Sequence, residues 1–222
     1  MKLFLIIILL STSLFSVEPL RRHAKNEVIV LDAGHGGEDR GTKSTTKPIL
    51  LEKRLTLFTT ILLRSALEGM GYQTLMTRWK DDTISLDDRV LFSNNVHPDC
   101  FVSIHYNSAP SPEAKGIEVF FHRDKGDNKR TQSSEKLANN VLKRVLEWSG
   151  ADSRGVKNSN FRVIKDTEDP AILVELGFLT NKEEAQQIGK PLYVKQLAMG
   201  VAKGIDDFLT ARRTQKRAAL VK

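Results

Sequence analysis

Apolar and polar positions change period repeatedly along this chain, and the changes mark its elements. Val28-Ile29-Val30-Leu31 is unbroken apolar, the pattern of a strand covered on both faces. Leu51, Leu55, Phe58, Leu62, Ala66 and Met70 then recur at helical spacing. They predict a helix from about Glu52 to Met70, and Gly69 and Gly71 mark its exit. Tyr72 to Thr77 reads as a short strand, Leu86 to Asn95 as a helix, and Cys100 to Ile104 as a second apolar strand. Gly116 to Phe121 alternates more, as an edge strand does. A helix from Ser133 to Trp148 places Leu137, Val141, Val145 and Trp148 on one face, with Ser133 as its N-cap. Ala171 to Val174 reads as a central strand, and Val194, Leu197, Val201, Ile205 and Phe208 give a closing helix. Strands alternating with helices predict an α/β fold: a single three-layer domain, its largely parallel (mixed) sheet flanked by helices. No internal repeat interrupts it. The domain is placed at residues 27–210, followed by a basic, frayed tail at 211–222.

The two ends change the picture of where the chain works. Lys2, the apolar run Leu3 to Leu10 and the small, polar exit to Ser16 describe a secretory signal peptide over residues 1–16. The run falls well short of the about 20 apolar residues that span a bilayer, so no stable membrane anchor is expected after processing. Cys100 has no partner for an intramolecular disulfide, so the fold rests on its core. The formal charge is +7, much of the excess lying at Arg212, Arg213, Lys216 and Arg217. No aromatic residues interleave with the basic ones as nucleic-acid stacking requires, so no nucleic acid is expected as partner. Outside the cytoplasm, a basic surface meets anionic membrane or wall.

The candidate chemistry lies at strand ends and at a helix start. His35, His105 and Glu175 each follow an apolar run, and Glu52 opens a helix, where its dipole favours a carboxylate. Strand carboxyl ends line the crevice where open α/β sheets bind ligands. Two imidazoles and one carboxylate, with a fourth position open, are the ligand set of a catalytic zinc. A second carboxylate is what such a site needs as general base. Glu175 stands among Leu173, Val174, Leu176 and Phe178, a costly place for a carboxylate without a role. The pattern points to hydrolysis by a metal-activated water. His23, His97 and His122 fit a tail, a turn before Pro98 and a strand end, and are not expected as ligands.

Four motifs in order carry a resemblance: Leu31-Asp32-Ala33-Gly34-His35-Gly36-Gly37, Glu52-Lys53, Ser103-Ile104-His105-Tyr106-Asn107, and Pro170 through Glu175 to Asn181. From about Glu27 to Leu209 the sequence resembles the zinc-dependent N-acetylmuramoyl-L-alanine amidases of the amidase-3 type. Ala33 stands where that family usually has proline. The resemblance implies that His35, Glu52 and His105 bind zinc (Zn2+) and that Glu175 is catalytic. It implies cleavage of the amide between N-acetylmuramic acid and L-alanine in peptidoglycan, for wall remodelling and daughter-cell separation by an exported, periplasmic or wall-associated enzyme. Some members carry an inserted helix that plugs the site; the stretch His122 to Gln132 is too short for one, so no obligate protein activator is expected.

Two other readings have a basis in the sequence. Ser133-Ser134-Glu135-Lys136 is an S-x-x-K, and Ser93-Asn94-Asn95 an S-x-N, pairs used by serine-type penicillin-binding carboxypeptidases; the K-T-G element is missing. A non-catalytic wall-binding module would account for export and basicity, but not for Glu175 beside a complete ligand set.

Overall fold

The structure is a computed structural model that describes residues 25–126 and 128–220. The expected signal segment at 1–16 and His23 lie outside the described residues. Twelve elements follow one another: β1 (Val28–Ala33), α1 (Glu52–Gly69), β2 (Gln73–Met76), α2 (Leu86–Val96), β3 (Cys100–Asn107), β4 (Ile117–Phe121), α3 (Asn128–Ser149), β5 (Ser153–Asn158), α4 (Arg162–Lys165), β6 (Ala171–Phe178), α5 (Lys182–Ile188) and α6 (Pro191–Leu220). The strands form one sheet in the order β2-β1-β3-β6-β4-β5. Strands β2, β1, β3 and β6 run parallel, while β4 lies antiparallel to β6 and parallel to β5.

The fold is therefore the expected three-layer α/β domain with a mixed sheet. Period-2 alternation along the strands separates two faces. One carries Ile29, Leu31, Val102, Ile104, Tyr106, Ile172, Val174, Val119 and Phe121, all buried in the larger core with residues of α1, α3 and α6. The other carries Val30, Phe101, Ala171 and Leu173, which pack with Phe92 and Val96 of α2, Val163 and Ile164 of α4, and Phe120 of β4. On this second face the rows of residues nearer the carboxyl ends of β1, β3 and β6 turn polar: Asp32 lies beside Ser103, and His105 beside Glu175.

Four local expectations are corrected. First, Leu55, Leu62, Ala66 and Met70 of the apolar row do pack against the core, but the buried residues of α1 are Glu52, Thr56, Thr59, Thr60, Leu63 and Leu67, and Phe58 is exposed. The threonines tolerate burial because each hydroxyl has a partner: Thr56 donates to the Gly34 carbonyl at 2.7 Å, Thr60 to the Thr56 carbonyl at 2.7 Å, and Thr59 to the Leu55 carbonyl at 2.8 Å. Second, β4 is not an edge strand; β5, Ser153–Asn158, lies outside it. Third, α3 begins at Asn128, so Ser133 sits inside the helix and caps nothing. Fourth, the frayed tail is helical to Leu220. Arg213 Nη1 donates to Glu27 at 2.7 Å and Arg212 Nη1 to the Asp99 carbonyl at 2.9 Å, tying this helix to residues that flank β1 and β3.

Candidate metal centre

The backbone itself brings the site together. Gly34 follows β1 and its N–H donates to the Ile104 carbonyl at 3.1 Å. A Cβ at Gly34 would lie 2.2 Å from His105 Cε1, so only glycine lets the two strand ends approach this closely. His35 comes next, at φ 59°, a left-handed conformation that swings its ring out of line with the strand. In β3 and β6, His105 and Glu175 stand directly opposite each other in register. Glu52 is the first residue of α1, where the unpaired N–H groups favour a carboxylate.

These placements gather three donors. His35, Glu52 and His105 each offer a ligand atom, all within 4.8 Å of one another. Glu52 Oε1 lies 3.0 Å from His35 Nε2 and 3.1 Å from His105 Nδ1. The two rings meet edge to face, centroids 4.9 Å apart. Behind the donors, Asp39 Oδ2 lies 2.8 Å from His35 Nδ1, and Glu52 accepts from the backbone N–H groups of Thr42 at 2.8 Å and Tyr106 at 3.1 Å. Such outer partners fix ring tautomers and ligand orientation at metal sites. Burial alone would raise the Glu52 carboxyl, but the facing His105 and His35 outweigh it and hold it at about 2. Burial likewise works against charge on His35, and the Glu52 and Asp39 carboxylates overcome it and raise its pKa. The cluster is anionic at its centre and suited to a divalent cation.

Glu175 is different. Burial pushes its carboxyl up to about 7, His105 opposes this, and Glu52 and Glu118 add to it. Its Oε2 atom is buried and has no hydrogen-bond partner. A buried, unpartnered carboxylate oxygen beside a three-donor cluster fits a site completed by something other than this chain's side chains. All four residues singled out in the sequence line one open cleft, flanked by Ile84, Ser85 and Leu86 at the start of α2 and by Phe161, Arg162 and Val163 around α4.

The scaffold beneath the cleft has no signal in the sequence pattern. Arg78 and Arg89 are both buried. Arg78 donates to the carbonyls of Ala33, Gly34 and Lys53, each at 2.8 Å, and Arg89 to those of Ala33 at 2.8 Å and His35 at 2.7 Å. Arg89 also pairs with buried Asp32 at 2.5 Å, and Ser103 and Thr77 each donate to that carboxylate at 2.6 Å. Burial would raise the Asp32 carboxyl; Arg89 and the two hydroxyls bring it below the ordinary value. Two guanidiniums thus hold the carbonyls of the turn that presents His35. Lys53 and Asp81 finish it: Lys53 Nζ donates to the Gly37 carbonyl and to Asp81, each at 2.6 Å.

The S-x-x-K pair lies elsewhere. Ser133 and Lys136 are on α3, and the neighbouring Ser134 hydroxyl accepts from the N–H of Ala171, at the opposite end of β6 from Glu175. His122 follows β4, its Nδ1 3.0 Å from the Ser159 carbonyl, away from the cluster. Cys100 is buried in β3, and burial raises its thiol.

Comparison with known proteins places this geometry. A family model described as N-acetylmuramoyl-L-alanine amidase, Amidase_3, matches residues 29–207. A probable cell wall amidase, LytH, of Staphylococcus epidermidis is 33% identical over 187 residues, 84% of this chain and 60% of that protein. The chain thus spans about 60% of the length of this relative. The crystal structure of an N-acetylmuramoyl-L-alanine amidase from Clostridium difficile 630 is 36% identical, with TM-score 0.77, over 83% of this chain and 97% of that one. The CwlD amidase of Clostridioides difficile, solved in complex with the GerS lipoprotein, is 28% identical with TM-score 0.77, covering 84% of this chain and 100% of that one. A match that runs the length of the described domain, joined to a fold shared at this identity, assigns the chain: it belongs to the Amidase_3 family of N-acetylmuramoyl-L-alanine amidases.

Proposed function

We propose that this chain is a zinc-dependent amidase that hydrolyses the bond between the lactyl group of N-acetylmuramic acid and L-alanine in peptidoglycan. The observation that carries the reading is the unpartnered, buried Glu175 Oε2, set opposite His105 in register and beside the His35–Glu52–His105 donors. The family match, the relatives called cell wall amidases and the donor chemistry support it. His35, Glu52 and His105 would hold the ion, two imidazoles and a carboxylate being a zinc donor set with room for a further ligand. A bound zinc supplies Lewis-acid charge that makes water a better nucleophile and offsets the charge that grows on the carbonyl oxygen.

This chain's own residues do the rest. Glu175 takes the proton of the attacking water. Its carboxyl lies near neutrality, so it can next release that proton to the leaving L-alanine nitrogen. Asp39 and the N–H groups of Thr42 and Tyr106 keep His35 and Glu52 in place through the step. The open cleft over the strand ends, flanked by α2 and α4, admits a glycan–peptide junction from solvent.

An exported, periplasmic or wall-associated enzyme of wall remodelling and daughter-cell separation follows from this substrate and from the signal-like residues 1–16. Among the described residues no helix is long and apolar enough to cross a membrane. The test is mass spectrometry of purified peptidoglycan digested with zinc-loaded protein. The expected products are stem peptides with a free L-alanine amine and glycan strands with free lactyl carboxylates. Products cut in the glycan, or between stem residues, would refute the reading.

A further inference from the structure

Beyond Glu175 the polar row on this face of the sheet continues outward. Glu118 of β4 is paired in register with Glu175, and Gly155 of β5 with Glu118. Glu118 is 5% exposed and holds three partners. Asn107 Nδ2, whose residue lines the cleft, donates to Oε1 at 2.6 Å; Arg154 Nε donates to Oε2 at 3.1 Å; Lys157 Nζ donates to the same oxygen. Two cations surround one carboxylate, so the group carries a net positive charge. The cations are not consumed by burial: the side chains of Arg154 and Lys157 are 36% and 41% exposed. Arg154 is further steadied over the Phe178 ring, 4.8 Å from its centroid, and Lys157 lies 5.9 Å from the Phe120 ring centroid.

The flank by α2 and α4 has the opposite character. Leu86 and Phe161 are exposed there, and its cation, Arg162, faces two carboxylates, Asp87 at 2.7 Å and Asp166 at 3.5 Å. A neutral sugar suits that apolar, aromatic bank. An anionic chain suits the basic group, which adjoins the cleft through Asn107.

We propose that Arg154 and Lys157, held ready by Glu118, receive a carboxylate of the stem peptide, on the second or third residue beyond the cleaved amide, and so make the enzyme selective for anionic stems. The inference rests on the amidase reading above. The reach agrees: β5 lies two strand spacings from β6, roughly 10 Å at about 4.8 Å each, and an extended peptide advances at most about 3.6 Å per residue. A charged partner across a half-exposed pair contributes less than a buried one, which sets the expected effect at roughly fivefold to tenfold.

The experiment compares two synthetic N-acetylmuramoyl tripeptides on the zinc-loaded full chain. One has free carboxylates on its second and third residues; in the other these are primary amides. The wild type should show a kcat/KM higher by roughly fivefold to tenfold for the free acid, expressed in KM. Lys157→Gln should reduce that ratio, and the Arg154→Gln, Lys157→Gln double variant should bring it to about one. A role confined to neutralising Glu118 would shift both substrates together and leave the ratio unchanged. An unchanged ratio in the variants, or a wild-type ratio near one, overturns the inference while leaving the amidase reading intact. Should the double variant fail to fold, Lys157→Gln decides, since its side chain is half-exposed. Failure of the wild type to cleave either compound sinks the amidase reading, and this inference with it.

Discussion

His105 of β3 and Glu175 of β6 face each other in register, so the spacing between a proposed ligand and the proposed base is set by the sheet ladder. That ladder does not depend on any metal. Replacing Glu175 by glutamine keeps shape and register but removes the base. The variant should fold, keep zinc, and lose turnover by about 10²–10⁴-fold. Metal analysis beside a turnover assay checks both halves; loss of zinc from a folded variant would make Glu175 a ligand instead.

Alanine at His35, Glu52 or His105 should each lower zinc occupancy sharply, because each removes one of three donors that lie within 4.8 Å. A chelator should abolish activity and added zinc should restore it. Full turnover in protein shown free of metal contradicts the proposal.

The metal-free protein should feel Glu175 as a pH-dependent load. Its folded pKa, about 7, lies above the ordinary 4.5 because of burial. The folded state therefore holds this proton more tightly than the unfolded chain does. The stability gained that way is complete below the unfolded value and is lost as pH climbs through about 7. Glu175→Gln escapes the loss. In chelator, the stability gap between variant and wild type should be small at pH 5 and widen by pH 8 to at most about 3 kcal/mol. Thermal melts at the two pH values measure it, and a gap that stays constant speaks against it.

Arg89 is both a charge partner and a clamp. Arg89→Met strands the buried Asp32 carboxylate and frees the carbonyls of Ala33 and His35. It should cost about 3–5 kcal/mol in urea unfolding and weaken zinc binding as well. Arg89→Lys keeps the charge but not the fork, and should recover part of the stability. A neutral effect of Arg89→Met would show that the clamp is dispensable.

Helix α3 packs against α6 and the sheet, and the described residues leave the cleft over the strand ends open. We therefore expect zinc-loaded protein to digest peptidoglycan without a partner, and Ser133→Ala to leave that digestion nearly intact. Negligible digestion that a second protein rescues, or a penicillin adduct at Ser133, would reverse these expectations.

Three of the four proposed site residues stand out in the sequence for a physical reason. Each histidine and Glu175 ends or interrupts an apolar strand run, where a polar residue has little cause to be unless it faces a crevice. Strand β5 was not legible, because an edge strand of sequence Ser-Arg-Gly-Val-Lys-Asn exposes both rims and shows no apolar period. The full breadth of the buried face of α1 is not legible because threonine scores as polar, yet Thr56, Thr59 and Thr60 are buried once their hydroxyls find carbonyls. Nothing in the sequence around Arg78 and Arg89 marks them for burial. Their partners are backbone carbonyls up to 56 residues away in sequence, and no local pattern announces such contacts.

The guanidinium clamp has a consequence for how metal and folding are coupled. In proteins that are disordered until a metal arrives, part of the binding free energy is spent on organising the chain. Here the turn bearing His35 is already held by Arg78 and Arg89, and Glu52 is already gripped by Thr42 and Tyr106. An arriving ion meets donors in position. Its binding should add stability only by mass action, in proportion to free metal over dissociation constant. On the zinc proposal, the ion would then serve as the switch for activity rather than as the cement of the fold.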